Sequence, residues 1–187
     1  MNAHGAIVLA AGASKRLGRP KQLVEIDGEP LLRRAVERAL ATRPRDCVVV
    51  LDGTADFDPV LAGLDARVVR ISDAATGMAA SLRAGVAALD AACEGALVVV
   101  TDQPALDERH LESLCTAWRA MPRFAIASAY AGVIGVPALL PRSWFDAIAA
   151  LTGDVGARDL LRGRADVIAI AAPHLSRDID TPRDIGR

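Results

Sequence analysis

The stretch Leu9-Ala10-Ala11-Gly12-Ala13-Ser14-Lys15-Arg16-Leu17-Gly18-Arg19-Pro20-Lys21 comes directly after a short apolar run. Its small residues let backbone approach a ligand closely, and successive turn N–H groups can form a nest for an anion. Arg16 and Lys21 add the fixed positive charge that a triphosphate needs. The same letters also read as a plain strand-to-helix turn carrying solvated basic residues. Two familiar phosphate-binding patterns fail on spacing, because Gly12 and Gly18 do not make GxGxxG and no GxxxxGK[ST] runs through Lys21.

Two acidic positions complement this loop. Gly95-Ala96-Leu97-Val98-Val99-Val100-Thr101-Asp102-Gln103-Pro104 is an apolar run ending in a carboxylate and a proline. An aspartate at the carboxyl end of a strand can enter a cleft and hold a hard cation; Mg²⁺ characteristically uses one or two carboxylates together with substrate phosphates. An ordinary turn aspartate is the competing reading. Near the C-terminus, Ser176-Arg177-Asp178-Ile179-Asp180-Thr181-Pro182-Arg183-Asp184 carries a second cluster. Alternation in an extended segment puts Asp178 and Asp180 on one face, where they either point together toward a metal or diverge as capping groups before Pro182.

The elements that must position these residues show in the hydrophobic pattern. Apolar runs at Ala6 to Ala10, Cys47 to Leu51, Arg67 to Ile71, Ala96 to Val100, Phe124 to Ala129 and Val167 to Ala171 alternate with segments of helical period. That alternation predicts β-α-β units in a three-layer α/β domain with a mostly parallel sheet. Leu31 to Leu40 reads as a sheet-packing helix with Pro30 at its start. Leu82, Val86, Leu89 and Cys93 predict a second helix, and Leu111, Leu114, Cys115 and Trp118 a third behind the N-cap Asp107. From Tyr130 to Arg164 glycines and prolines recur, which predicts loops and short helices outside the main sheet, forming a wall for the site. Residues 1–187 are expected to form a single domain, a length that buries a sizeable core.

Composition excludes several function classes. With a net charge of −1 and no long basic run, the chain lacks the electrostatic footprint of a nucleic-acid or anionic-membrane binder, so phosphate-binding charge must be local. The apolar N-terminal run is too short for a membrane span and has no basic start, which predicts a cytoplasmic protein. Cys47, Cys93 and Cys115 are odd in number and show no CxxC spacing, so they read as reduced core thiols; His4, His110 and His174 share no ligand spacing. No Ser-His-Asp or Cys-His arrangement is evident.

The pattern Leu-Ala-Ala-Gly-x-Ser-x-Arg-Leu-Gly-x-x-Lys resembles the signature of the molybdenum-cofactor nucleotidyltransferases, in particular the molybdenum cofactor cytidylyltransferase branch of the MobA-like NTP transferases. The resemblance implies a three-layer Rossmann-like nucleotidyltransferase fold in which Leu9, Ala10, Ala11 and Gly12 lie beside the nucleotide while Arg16 and Lys21 engage its triphosphate as catalytic groups. Thr101-Asp102-Gln103-Pro104 is similar to the family's Gly-Asp-Gln-Pro metal motif, and Asp178-Ile179-Asp180-Thr181-Pro182-Arg183-Asp184 to its Asp-Ile-Asp-Thr-Pro-Glu-Asp terminus. Those matches imply Asp102 and Asp180 as Mg²⁺ ligands. Gly77 to Gly85 resembles the nucleotide-proximal helix start, placing Gly77 and Ser81 at the nucleotide, and Gly153 to Arg158 resembles an acceptor-side motif.

The resemblance further implies transfer of CMP from CTP to molybdenum-bearing molybdopterin, with Mg²⁺ as cofactor and a molybdoenzyme or its chaperone as a protein partner. Two departures stand out. Thr101 replaces the usual glycine, and Val136 stands where many molybdenum cofactor cytidylyltransferases carry histidine or asparagine. Two rival readings are a sugar-phosphate or other small-phosphate nucleotidyltransferase and a non-catalytic nucleotide-binding cofactor-delivery protein.

Overall fold

The computed structural model describes residues 2–12, 14, 16–53, 56–72 and 77–185; Ala13 and Lys15 of the glycine-containing loop lie outside the described residues. Strand β1 (His4–Leu9) leads through that loop to a hairpin of two-residue strands, β2 (Glu25–Ile26) and β3 (Glu29–Pro30), and then to helix α1 (Leu31–Ala41). The chain continues through β4 (Cys47–Asp52), α2 (Asp58–Leu61), β5 (Arg67–Ile71), α3 (Met78–Ala88), β6 (Gly95–Val100) and α4 (Glu108–Ala120). It ends with β7 (Ala125–Tyr130), β8 (Val133–Pro141), α5 (Phe145–Ala149), α6 (Ala157–Leu161) and β9 (Val167–Ala171), followed by a C-terminal segment with short 3-10 turns at Pro173–Ser176 and Pro182–Asp184. Among the described residues, no helix is long and apolar enough to cross a membrane.

A seven-stranded sheet runs in the order β5-β4-β1-β6-β8-β7-β9. Pairs β1–β4, β1–β6, β4–β5 and β7–β9 are parallel, and β8 lies antiparallel between β6 and β7. Alternate residues of each strand enter opposite cores. Ala6, Val8, Val49, Leu51, Leu97 and Val99 meet α1 and α4 through Leu32, Val36, Leu111, Leu114 and Trp118. Ile7, Val48, Val50, Ala96 and Val98 meet α3, α5 and α6 through Leu82, Val86, Ile148 and Leu161. With both faces covered, the central parallel strands β1, β4 and β6 are apolar along most of their length and appear in the sequence as continuous runs, whereas the edge strand β5 carries the exposed Arg67 and Arg70. Each fully buried Leu, Ile or Val contributes about 1.5–3 kcal/mol.

Helix ends follow local chemistry. Asp107 is the N-cap of α4, its side chain accepting from the His110 N–H. Pro30 occupies the N-cap position of α1, just before its first turn, without a side-chain capping bond. Helix α3 stops short of its sequence pattern: Leu82 and Val86 are buried on it, Leu89 is its extended C-cap, and Cys93 sits in a following turn. The reason is Asp90, whose carboxylate accepts from the Ala92 N–H and offers the backbone a turn in place of another helical step.

The larger correction concerns residues 130–164. Expected outside the sheet, this region contributes β8 to its interior, and only α5, α6 and their loops lie outside. Gly135 and Pro137 break the apolar pattern at a bulge within the strand. Ala127 pairs with Ala138 and the next residue, Ser128, with Gly135, so Val136 and Pro137 are left out of register. All three cysteines are free and buried, and burial pushes Cys47 up to about 12 and Cys115 up to about 11.

Candidate active site

The chain runs outward from β1 through β4 to β5, then returns to the other side of β1 to form β6. The order of strand addition therefore reverses between the parallel neighbours β1 and β6, whose ends pair at Leu9 and Val100. Loops leaving two such strands diverge to opposite faces and open a crevice beyond their carboxyl ends, the habitual ligand position in open α/β sheets. The glycine-containing loop leaves β1 here, and Asp102 stands two residues past β6.

Packing brings in the third contributor. Leu17 from the loop, Val24, Leu31 at the start of α1 and Ile179 form a small buried cluster. The Ile179 N–H donates to the Asp102 carbonyl at 2.8 Å, docking the C-terminal segment on the end of β6. Burying Ile179 directs its two acidic neighbours toward the crevice. The capping role open to Asp178 and Asp180 falls instead to Asp184, whose Oδ2 accepts from the Asp180 N–H, the Thr181 N–H and the Thr181 hydroxyl. Thr181-Pro182-Arg183-Asp184 has the spacing of a capping box, a sequence signal that would have identified Asp184.

The charged groups then converge. Lys21 Nζ donates to Asp102 Oδ2 at 2.9 Å and to Asp180 Oδ1 at 3.1 Å, and Arg16 Nη2 donates to Asp180 Oδ2 at 2.7 Å. The Lys21 side chain is 13% exposed and that of Arg16 73%, so the first is a built-in charge and the second a solvated rim group. Burial is the largest single influence on Lys21 and acts to lower its pKa, but Asp102 and Asp180 together outweigh it and the net shift is upward. Asp178 is pushed up to about 6 by partial desolvation in the crevice and then by the charges of Asp102 and Asp180, although its side chain stays solvent-accessible.

Leu9 ends β1, Ala10 and Ala11 are buried, and Gly12 is exposed. Gly77 is the N-cap of α3, with Ser81 half-buried one turn along. Gly77 packs on Gly153 and Asp154: a Cβ placed on it would lie 2.4 Å from both Gly153 O and Asp154 Oδ1. The nucleotide-side and acceptor-side motifs of the sequence thus meet each other at the start of α3.

Sequence reading missed two buried amides. Gln22 donates from Nε2 to Ala10 O and Gly12 O, and Gln103 donates from Nε2 to Val136 O at 3.2 Å. The Val136 carbonyl also accepts from the Tyr130 hydroxyl at 2.8 Å, and Arg158 lies beside that hydroxyl. The bulge in β8 therefore presents a carbonyl that ties Gln103, next to Asp102, to the Tyr130–Arg158 wall. The Val136 side chain itself packs against the core under α3.

Residues 6–168 match the family model described as the MobA-like NTP transferase domain. The chain is 32% identical to the nicotine blue oxidoreductase of Paenarthrobacter nicotinovorans, over 97% of this chain and 94% of the relative. It is 30% identical to the molybdenum cofactor guanylyltransferase of Rhodobacter capsulatus, over 97% and 92% respectively. Among solved structures it is similar to the Rv0371c protein of Mycobacterium tuberculosis H37Rv, with a TM-score of 0.84, 30% identity and coverage of 98% of this chain and 96% of the other. That protein is also solved as a manganese complex, matching with a TM-score of 0.81 and 26% identity over 97% and 95% of the two chains.

Proposed function

The chain belongs to the MobA-like NTP transferase domain family, and from that premise we propose that it moves CMP from CTP onto the phosphate of molybdenum-bearing molybdopterin, releasing pyrophosphate. The observation that carries nucleotidyl transfer is the convergence of Lys21, Arg16, Asp102 and Asp180, from three separate segments, at the switch point between β1 and β6. In this reading an oxygen of the acceptor phosphate attacks the α-phosphorus and the bond to the β-phosphate oxygen breaks. The electron pair leaves with pyrophosphate. The acceptor is already an anion, so no side-chain nucleophile or base is needed.

Lys21 is held where its ammonium can exchange a carboxylate partner for a phosphate oxygen, and Arg16, on the rim, meets the leaving pyrophosphate. Asp102 and Asp180 fit a divalent cation: one oxygen of each carboxylate converges on a single positive centre, the Lys21 ammonium. Among the described residues no three His, Cys, Asp or Glu side chains form a closed metal cage. Two carboxylates completed by substrate phosphates are the donor set that Mg²⁺ uses. Bound there, Mg²⁺ would supply charge neutralisation on the triphosphate.

The cytidylyl choice rests on the motif resemblance, and the guanylyltransferase name of the Rhodobacter relative makes GTP the competing donor. The test incubates pure protein with each NTP, Mg²⁺ and either molybdopterin bearing molybdenum or a sugar phosphate, and measures pyrophosphate. The proposal expects release with CTP and the molybdopterin acceptor. Release with a sugar phosphate alone would replace the acceptor; nucleotide binding without turnover on any acceptor would make the chain a carrier.

For Asp102→Asn we expect near-normal folding and a weakened Mg²⁺ requirement, because the amide keeps the shape and hydrogen-bonding capacity of the carboxylate and loses the charge a hard cation prefers. Titrating Mg²⁺ at fixed NTP reads this out. If variant and parent respond alike, Asp102 is a turn residue, and Asp180→Asn becomes the next variant to measure.

A further inference from the structure

We propose that Gln22 is the positioning residue that sets the polarity of the phosphate loop, its amide holding two loop carbonyls inward so that the Ala11 N–H faces the triphosphate. The inference rests on the loop being the NTP site and names a residue that the loop's own letters do not reveal. Gln22 sits in the short 3-10 turn Lys21–Leu23, immediately after the lysine, and is 2% exposed. Its two amide hydrogens go to Ala10 O and, at 3.2 Å, to Gly12 O. Ser14 closes the same turn, donating from Oγ to Gly12 O at 3.3 Å and accepting from the Lys21 N–H at 3.0 Å.

Peptide planarity converts this clamp into a property of the ligand side. Carbonyl and N–H point in opposite directions across a trans peptide, so fixing Ala10 O toward Gln22 turns the Ala11 N–H to the other side. Without donors from below, these carbonyls would satisfy themselves by turning toward solvent, where they would face the nucleotide phosphates with their negative ends. An anion nest requires the reverse orientation. The clamp also couples the loop to Lys21, because the residue following that lysine grips both carbonyls while the lysine's own N–H is held by Ser14.

The other end of the amide shows that packing alone does not account for the residue. Among the described residues Gln22 Oε1 is buried without a hydrogen-bond partner. A buried acceptor left unsatisfied is unfavourable, and an aliphatic side chain would fill the same space without it. What the aliphatic chain lacks is the pair of donors.

The test compares Gln22→Met, which fills the volume and donates nothing, with Gln22→Glu, which keeps the shape and opposes a carboxylate to the two carbonyls. Dissociation constants for CTP and GTP with Mg²⁺ are measured by calorimetry, beside thermal unfolding of each variant. The expected result is ~10-fold weaker binding of both nucleotides for Gln22→Met and ~100-fold for Gln22→Glu, following the tenfold-per-1.4 kcal/mol relation between affinity and lost interaction. A merely structural role would move the unfolding midpoint and leave the dissociation constants of the folded fraction unchanged. Ser14→Ala, at a less buried position, gives an independent arm: it is expected to weaken binding, and combined with Gln22→Met to weaken it less than the product of the two, since both hold Gly12 O. Parent-like nucleotide binding by folded Gln22→Met overturns the proposal with the phosphate-loop reading intact. A parent protein that binds no NTP overturns both.

Discussion

Lys21→Ala is expected to lower turnover by ~10²–10³-fold, the scale for removing one preorganised electrostatic contact to a transition state. The ammonium is an enclosed group rather than a solvated one, within 3.1 Å of two carboxylates, one just past β6 and one on the C-terminal segment docked beside it. Removing it also leaves Asp102, Asp178 and Asp180 without their central counter-charge. The stability cost lies between the ~0–1 kcal/mol of an exposed pair and the ~3–5 kcal/mol of breaking a buried one, because Asp180 is more than a third exposed. The sign with pH follows from the shifts. The Lys21 pKa is raised in the fold, so its contribution is fully present below its unfolded value and is lost as pH rises through the folded one; at neutral pH it is complete. In the variant Asp178 loses the Lys21 charge that holds its carboxyl down against desolvation and the neighbouring carboxylates, so its pKa rises beyond its present value of about 6. The deficit against the parent therefore grows as pH increases through the carboxylate range and shrinks in acid. Thermal unfolding from pH 4 to 8 measures the second effect, and pyrophosphate release by the folded variant measures the first. Turnover at the parent rate would remove Lys21 from the chemistry.

The parts of this molecule that could be read from the sequence share one property: their chemistry repeats along the chain. Val48 to Leu51 and Ala96 to Val99 are apolar at every position because helices cover both faces of their strands, so a parallel sheet announces itself without alternation. Asp107 shows itself as a cap by standing just before a periodic segment. Strand β8 does not, since Gly135 and Pro137 interrupt it at a bulge whose existence depends on β7 beside it. Asp178 and Asp180 could be placed on one face of an extended segment, yet whether they capped or converged was decided by Asp184 and by the burial of Ile179, both contacts in three dimensions. Gln22 is the extreme case. Its role depends on which way two peptide planes face, and residue letters carry no sign of that. The Val136 position shows the same limit from the other side: its side chain belongs to the core, while its backbone carbonyl joins Gln103 to Tyr130.

Gly77→Ala is expected to be the most disruptive small substitution at the crevice. Gly77 has φ +98° and ψ −179°, a conformation essentially confined to glycine that costs an L-residue ~1–3 kcal/mol. The added Cβ would also meet Gly153 O and Asp154 Oδ1 at 2.4 Å. A side-chain oxygen can rotate away, but the Gly153 carbonyl belongs to a backbone that accepts from the Ala79 N–H at 3.3 Å in the first turn of α3. Relieving the clash therefore separates the 153–156 loop from that helix, at the ~1–3 kcal/mol typical of overpacking. The two effects sum to roughly 2–6 kcal/mol, or a fall in unfolding midpoint of about 5–20 °C for a chain of this length. Since the same loop leads into α6 and Arg158, the surviving folded protein should lose affinity for the acceptor more than for NTP. Gly153→Ala separates the causes: Gly153 also has a positive φ, of +66°, but nothing lies within 4 Å of its added Cβ. It should show only the conformational part, ~1–2 kcal/mol, with acceptor affinity largely kept. Equal losses at the two glycines would mean that backbone strain accounts for both, and that contact between the start of α3 and the 153–156 loop does not position the acceptor wall.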